Sequence, residues 1–206
     1  MLKLLSAVAV ALSLFTGVAL AQERFPPVPP ASYDEAQKKA AEEFLAVRKR
    51  PVYGPFARLM YSPELMNVAR SMGDHLRFKS GVGTTLSELV ILVTAREWGQ
   101  DYEWDVHAPI ALQQGIRKEI VDAILDGRRP AGMSDDEEMC YDFSIELHRN
   151  KRVSDTTYAR VAKRFGQKGV VDLVGINGYY TFLAMMMNTD RMPISAEGKR
   201  LPRFPD

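Results

Sequence analysis

No run in this chain alternates apolar and polar residues with period two for long enough to make a convincing strand. Apolar residues instead recur at intervals of three and four along most of its length. A core then has to be built by packing helix on helix. The expected fold is all-α, a single domain of seven or eight helices. Punctuation along the chain supports this. Ser32 is the expected cap of a helix through DEAQKKAAEEFLAVRKR, whose acids come early and cations late, as a helix dipole prefers. Pro51 and Gly54-Pro55 break that helix, and Ser62-Pro63-Glu64 opens ELMNVARSMGDHLRFK with a capping serine and a proline at the first helical position. Gly81 and Gly83 turn the chain into a central stretch, Thr85 to Gln114. IRKEIVDAILDG then stops at Gly127, and SDDEEMCYDFSIELHRNK begins with the capping-box spacing of Ser134 and Glu137. SDTTYARVAKRFG and GVVDLVGINGYYTFLAMMMNTD complete the set.

The last of these segments is apolar almost all round, with Leu173, Val174, Ile176, Tyr179, Tyr180, Leu183 and Met185 to Met187. Such a helix is central to the core or shared with another subunit, so a homo-oligomer is expected. Its methionines read as core filling rather than as a metal or cofactor site.

The two ends read differently. Lys3, the apolar run Leu4 to Leu20 and the exit Ala19-Leu20-Ala21 have the form of a cleaved secretory signal peptide over residues 1–21, with an uncleaved anchor as the alternative. Residues 22–32, polar and rich in proline, read as an extended spacer. Residues 33–190 hold the helical domain, and 191–206 read as an extended C-terminal arm that could lie across a neighbour. The mature protein is expected in the periplasm or secreted, with no membrane partner after cleavage. The full chain has 27 Lys+Arg against 26 Asp+Glu, and removing the leader takes away only Lys3, leaving 26 of each. A neutral chain has no electrostatic footprint for nucleic acid or anionic lipid. The 185 residues left after those 21 suffice for one domain with a real core. The one cysteine, Cys140, sits at a helical apolar position and reads as a buried, inert thiol that can form no intrachain disulfide.

The candidate chemistry lies in the central stretch, TLSELVILVTAREWGQDYEWDVHAPIALQQ. Glu88 is embedded among Leu86, Leu89, Val90, Ile91, Leu92 and Val93, so it is either an end cap or a buried carboxylate with a partner. Thr85 and Glu88 have capping-box spacing, and both readings stay open. Glu103 and His107 are four apart, on one helix face. A carboxylate beside an imidazole raises its pKa and orients the ring, as general acid–base chemistry requires. A solvated surface pair is the alternative. No metal site is expected, since the only histidines are His75, His107 and His148, and neither His75 nor His148 stands in an ExxH or HExxH spacing.

Glu88, then Gln100, Tyr102, Glu103 and His107 at this spacing resemble the signature of the carboxymuconolactone decarboxylase and alkylhydroperoxidase D-like superfamily. The resemblance covers roughly Ala40 to Asn188. In its peroxidase branch the signature is a glutamate, C-x-x-C, and a histidine four residues after the second cysteine. Gln100 and Glu103 occupy the two cysteine positions here, Glu88 and His107 match the glutamate and the histidine, and Tyr102 falls at a relay position. GPFARLMYSPELM, ELVILVTAREW, YEWDVHAPIA and GINGYYTFLA also resemble the cysteine-free, decarboxylase-named branch.

Without a thiolate to attack peroxide and a second thiol to resolve it, the disulfide cycle has no chemical basis in this stretch. The resemblance implies a cofactor-free lyase or isomerase acting on a small carboxylated or lactone compound. Its candidate catalytic residues are Glu88, Glu103, His107, Tyr102 and Gln100: His107 as the acid, Glu103 tuning it, Glu88 relaying protons, and Tyr102 or Gln100 donating to an oxyanion. Two competing expectations are a family-associated peroxidase or antioxidant role without the thiol mechanism and a non-catalytic oligomeric protein holding a small ligand.

Overall fold

The computed structural model describes residues 23–202, so the leader expected over residues 1–21 lies outside the described residues. Among the described residues there is no strand, and eight α-helices follow one another. They are α1 (Glu35–Arg48), α2 (Pro55–Leu59), α3 (Pro63–Phe78), α4 (Thr84–Glu97), α5 (Asp101–Gln113), α6 (Lys118–Leu125), α7 (Asp135–Asn150) and α8 (Asp155–Asp190). The all-helical expectation holds, with two changes of detail. Pro55 does not only break a helix; standing at the first helical position it starts the short α2. The last two expected segments run together as α8, with a break in helical geometry at Gly166 (φ 67°).

Caps define most of the starts. The cap of α1 is Asp34 rather than Ser32: its carboxylate accepts from the Gln37 amide while the Gln37 side chain accepts from the Asp34 amide. Ser32 instead ends a short 3₁₀ turn, Pro30–Ser32. Ser134 and Glu137 form the expected capping box of α7. Ser62 precedes Pro63 at the start of α3, but its side chain makes no capping bond.

α4 is the axis of the fold. Every residue from Ser87 to Arg96 is buried, and the helix packs against α5, α7 and α8. This explains why its sequence shows no polar face. α8 is long and apolar enough to cross a membrane by length and composition, and in this fold Leu173, Ile176, Ala184 and Met187 fill the core with no exposure. A polar layer of Thr94, Asn177 and Ser144 joins α4, α8 and α7, with His148 bonded to Thr94 at 3.1 Å.

The first and last of the described residues fold back on this body. The Arg24 and Phe25 amides donate to the buried Asp190 carboxylate at 3.1 and 2.8 Å, and Arg58 of α2 donates to the same group at 3.0 Å. Beyond α8 the arm runs without regular structure along its own α5: the Lys199 and Leu201 amides donate to Asp105 and Asp101, and Leu201 is buried.

Candidate active site

Four helices meet around His107. α5 carries Glu103 and His107 one turn apart, α4 brings Glu88, the last turn of α3 brings Arg77, and α8 adds Tyr179 and Tyr180. The His107 Nδ1 lies 2.6 Å from Glu88 Oε2, and its Nε2 lies 3.3 Å from Glu103 Oε2. The second oxygen of Glu88 accepts from Arg77 Nη2 at 3.0 Å. Tyr180 meets the imidazole edge-on, ring centroids 5.3 Å apart. Glu88, Glu103 and His107 are each at most 5 % exposed, which excludes a solvated surface pair.

The arrangement decides how Glu88 is used. The start of α4 has Gly83 as its cap with no side-chain bond, so the capping-box reading of Thr85 and Glu88 is not realised. Thr85 donates to the Gln114 carbonyl at the far end of α5 instead. Glu88 lies behind the imidazole and fixes it.

An imidazole with a carboxylate oxygen at each nitrogen can satisfy both only as a double donor, which is the cation. Burial by itself would lower the His107 pKa, but the hydrogen bonds and charges of Glu103 and Glu88 outweigh it and hold the pKa above its ordinary value. Burial would likewise raise Glu88, yet the His107 bond and charge and the Arg77 guanidinium hold it below the usual carboxylate value. The two opposed shifts describe one ion-paired array in which the imidazolium is kept.

His107 and Glu103 open onto a cavity of about 60 Å³, lined also by Arg48, Arg77, Tyr53, Tyr102, Tyr179 and Tyr180, with Phe56, Val106 and Leu183 as apolar walls. Two glycines make room for its phenols. A Cβ on Gly54 would stand 2.6 Å from the Tyr102 hydroxyl, and its φ of +57° also disfavours other residues; a Cβ on Gly73 would stand 2.5 Å from the Tyr179 hydroxyl. Burial, with Glu103 nearby, raises the Tyr102 pKa, so this phenol keeps its proton and can donate.

Of the residues singled out in the sequence, Glu88, Glu103, His107 and Tyr102 come together here. Gln100 does not, and its role as an oxyanion donor is corrected. Its carbonyl oxygen caps α5 by accepting from the Tyr102 and Glu103 amides at 2.6 and 3.2 Å, and its amide nitrogen donates to Asn188. It holds the start of the helix that carries the site. Arg48 and Arg77 carry no functional signal in the sequence, and Tyr179 and Tyr180 read there only as core. Arg77 sits where any helix favours a cation, and the tyrosines lie within an apolar run, so only their long-range placement distinguishes them. Among the described residues no cluster of His, Cys, Asp and Glu is suited to hold a metal ion. Cys140 is buried on α7 and does not line the cavity.

Residues 63–138, which include Arg77, Glu88, Tyr102, Glu103 and His107, match the model of the carboxymuconolactone decarboxylase family. Similar solved structures share the fold at low identity. An alkylhydroperoxidase AhpD core, described as an uncharacterized peroxidase-related protein from Ralstonia eutropha, is 15 % identical with a TM-score of 0.68, over 85 % of this chain and 93 % of that one. An uncharacterized peroxidase-related protein from Silicibacter sp. is 13 % identical with a TM-score of 0.67, over 90 % and 97 %. An alanine variant of the debrominase Bmp8, in complex with 2,3,4-tribromopyrrole, is 11 % identical with a TM-score of 0.66, over 85 % and 94 %. A search of curated proteins found no match.

Proposed function

We propose that this chain, a member of the carboxymuconolactone decarboxylase and alkylhydroperoxidase D-like superfamily, is a cofactor-free lyase or isomerase that moves protons on a small carboxylated or lactone compound. The observation that carries the reading is the buried Glu88–His107–Glu103 array, with a 2.6 Å bond to Glu88 fixing the ring, Nε2 facing Glu103, and His107 and Glu103 both lining a cavity. Glu88 is the positioning residue: it holds Nδ1–H and so presents Nε2–H to the cavity. His107 is the acid, and Glu103, beside Nε2, exchanges the proton. Tyr102 is the donor to a developing enolate oxygen.

In a decarboxylation the bond from carbon to the carboxylate breaks, carbon dioxide leaves, and the electron pair passes into an adjoining carbonyl as an enolate. The Nε2 proton then goes to carbon and the neutral ring is reprotonated from solvent. An isomerisation uses the same groups, with removal of one carbon-bound proton and return of another. Neither needs a thiol. Cys140 stands outside the cavity with its pKa pushed up to about 12 by burial, which supports a route independent of thiolate chemistry. The exposed apolar residues Val171, Val174 and Met185 on α8 support the expected assembly of copies.

The test is a turnover screen of small keto acids and lactones, followed by absorbance and by release of carbon dioxide, with the wild-type chain and His107→Ala. Turnover that disappears in the folded variant is the expected result. A fully active His107→Ala protein would end the proposal.

A further inference from the structure

Three buried polar atoms around the cavity have no hydrogen-bond partner among the described residues: Glu103 Oε1, Arg48 Nε and Arg77 Nε. Each belongs to a side chain that is otherwise engaged. Arg48 Nη2 pairs with Asp74 at 2.9 Å, Arg77 Nη2 with Glu88 at 3.0 Å, and the other oxygen of Glu103 faces His107. Both guanidiniums act electrostatically on the Tyr179 hydroxyl, as does Glu103, so cations and acid face one space. Tyr102, Tyr179 and Tyr180 all lie within the field of Glu103, yet none of them donates to it among the described hydrogen bonds.

A buried carboxylate oxygen without a donor is costly, and so is a buried guanidinium N–H without an acceptor. The group that completes the set therefore brings an O–H donor to the acid and acceptor oxygens to the two arginines. Charge points the same way. Arg48, Arg77 and the His107 imidazolium, with Arg70 on Asp74, are four cations against the three carboxylates Asp74, Glu88 and Glu103, leaving one positive charge over.

We propose that the cavity binds a small hydroxy- or enol-carboxylate, its carboxylate against Arg48 and Arg77 and its hydroxyl donating to Glu103 Oε1; this rests on the reading of the cavity as the reaction site. A lactone is the poorer fit. A lactone without a hydroxyl substituent has no O–H or N–H, so it leaves Glu103 Oε1 unpaired and sets its own acceptors beside a carboxylate. A carboxylate paired with arginine is also stabilised before reaction, which makes it the anchor rather than the leaving group. The chemistry then falls on the adjoining carbon as an isomerisation. The enol O–H proton passes to Glu103, the His107 imidazolium gives a proton to the neighbouring carbon, and Glu103 returns its proton to the ring, so nothing is oxidised or reduced.

The test is an equilibrium titration of the wild-type chain with glycolate, acetate and γ-butyrolactone, read from the His107 ring signals by NMR. A hydrogen bond to a charged acceptor is worth about tenfold or more in affinity. Glycolate is therefore expected to bind about tenfold tighter than acetate, and the lactone not to saturate. Glu103→Gln is expected to abolish the glycolate preference, and Arg48→Gln to weaken glycolate and acetate alike. Equal binding of the lactone, a preference that survives Glu103→Gln, or no saturable binding of any probe overturns the inference. The glycolate-to-acetate ratio in the unmodified chain decides it even where a variant fails to fold. Such a failure leaves proton transfer standing, since that reading falls only with an active His107→Ala protein; a glycolate preference beside an active His107→Ala protein would show the reverse.

Discussion

Replacing Glu88 with glutamine keeps the shape of the array and withdraws the charge that faces two cations. Glu88 is 4 % exposed and bonded to His107 at 2.6 Å and to Arg77 at 3.0 Å. Removing one partner of a buried ion pair costs about 3–5 kcal/mol when the other charge is left uncompensated. Glu103 still faces the imidazolium, which places Glu88→Gln near the lower limit, about 3 kcal/mol. In a domain of this size that is a fall in Tm of roughly 6–12 °C.

The cost depends on pH with a definite sign. The His107 pKa is raised on folding, so its contribution is complete below the unfolded value of 6.5 and is lost as pH rises through the folded value. The Glu88 pKa is lowered, so its contribution is complete above the unfolded value of 4.5 and is lost as pH falls through the folded value. The destabilisation by Glu88→Gln should be greatest between these limits. Urea unfolding of both proteins at about pH 6, and again above the His107 titration, measures it. A penalty below about 1 kcal/mol at pH 6, or the same penalty at both pH values, would refute the reasoning.

Three further perturbations follow. Gly73→Ala sets a Cβ 2.5 Å from the Tyr179 hydroxyl and 2.8 Å from its ring, so overpacking of about 1–3 kcal/mol should outweigh the helix-propensity gain of alanine; a thermal melt showing stabilisation contradicts this. Asp190→Asn removes the charge on which Arg58 and the Arg24 and Phe25 amides converge. It should cost about 3 kcal/mol or more and open the Arg24 and Phe25 amides to hydrogen exchange, and unchanged protection there would disprove the anchoring role. Cys140, buried with a pKa pushed up to about 12, should react with a thiol reagent only in denaturant, and rapid labelling of the native protein would contradict its placement.

Much of the fold could be read from periodicity and punctuation, because each helix boundary is written locally: the Ser134–Glu137 capping box, Pro63 at the start of α3, the glycines before α4. The errors also have local causes. Asp34 and Ser32 are both cap formers two residues apart, and only the choice of Gln37 as reciprocal partner separates them. Pro55 both breaks and starts helices. Within the site, the spacing of Glu103 and His107 announces their contact, since one turn of helix brings them together whatever surrounds it. Glu88 was ambiguous because its two roles differ only in which backbone or side chain comes near. Arg48, Arg77, Tyr179 and Tyr180 reach the cavity from α1, α3 and α8, and no local pattern encodes that convergence. Gln100 shows the opposite case: its place in the family pattern suggested chemistry, whereas its place before the first turn of α5 makes it a cap.

Glu88, His107 and Glu103 are expected to titrate as one enclosed, coupled proton array. An NMR pH titration of the three histidines, in the wild-type chain and in Glu88→Gln and Glu103→Gln, tests it most directly. His107 is expected to titrate above its ordinary value, and its pKa to fall when either carboxylate is neutralised. A His107 that titrates as a free imidazole near 6.5 and ignores both substitutions would contradict it.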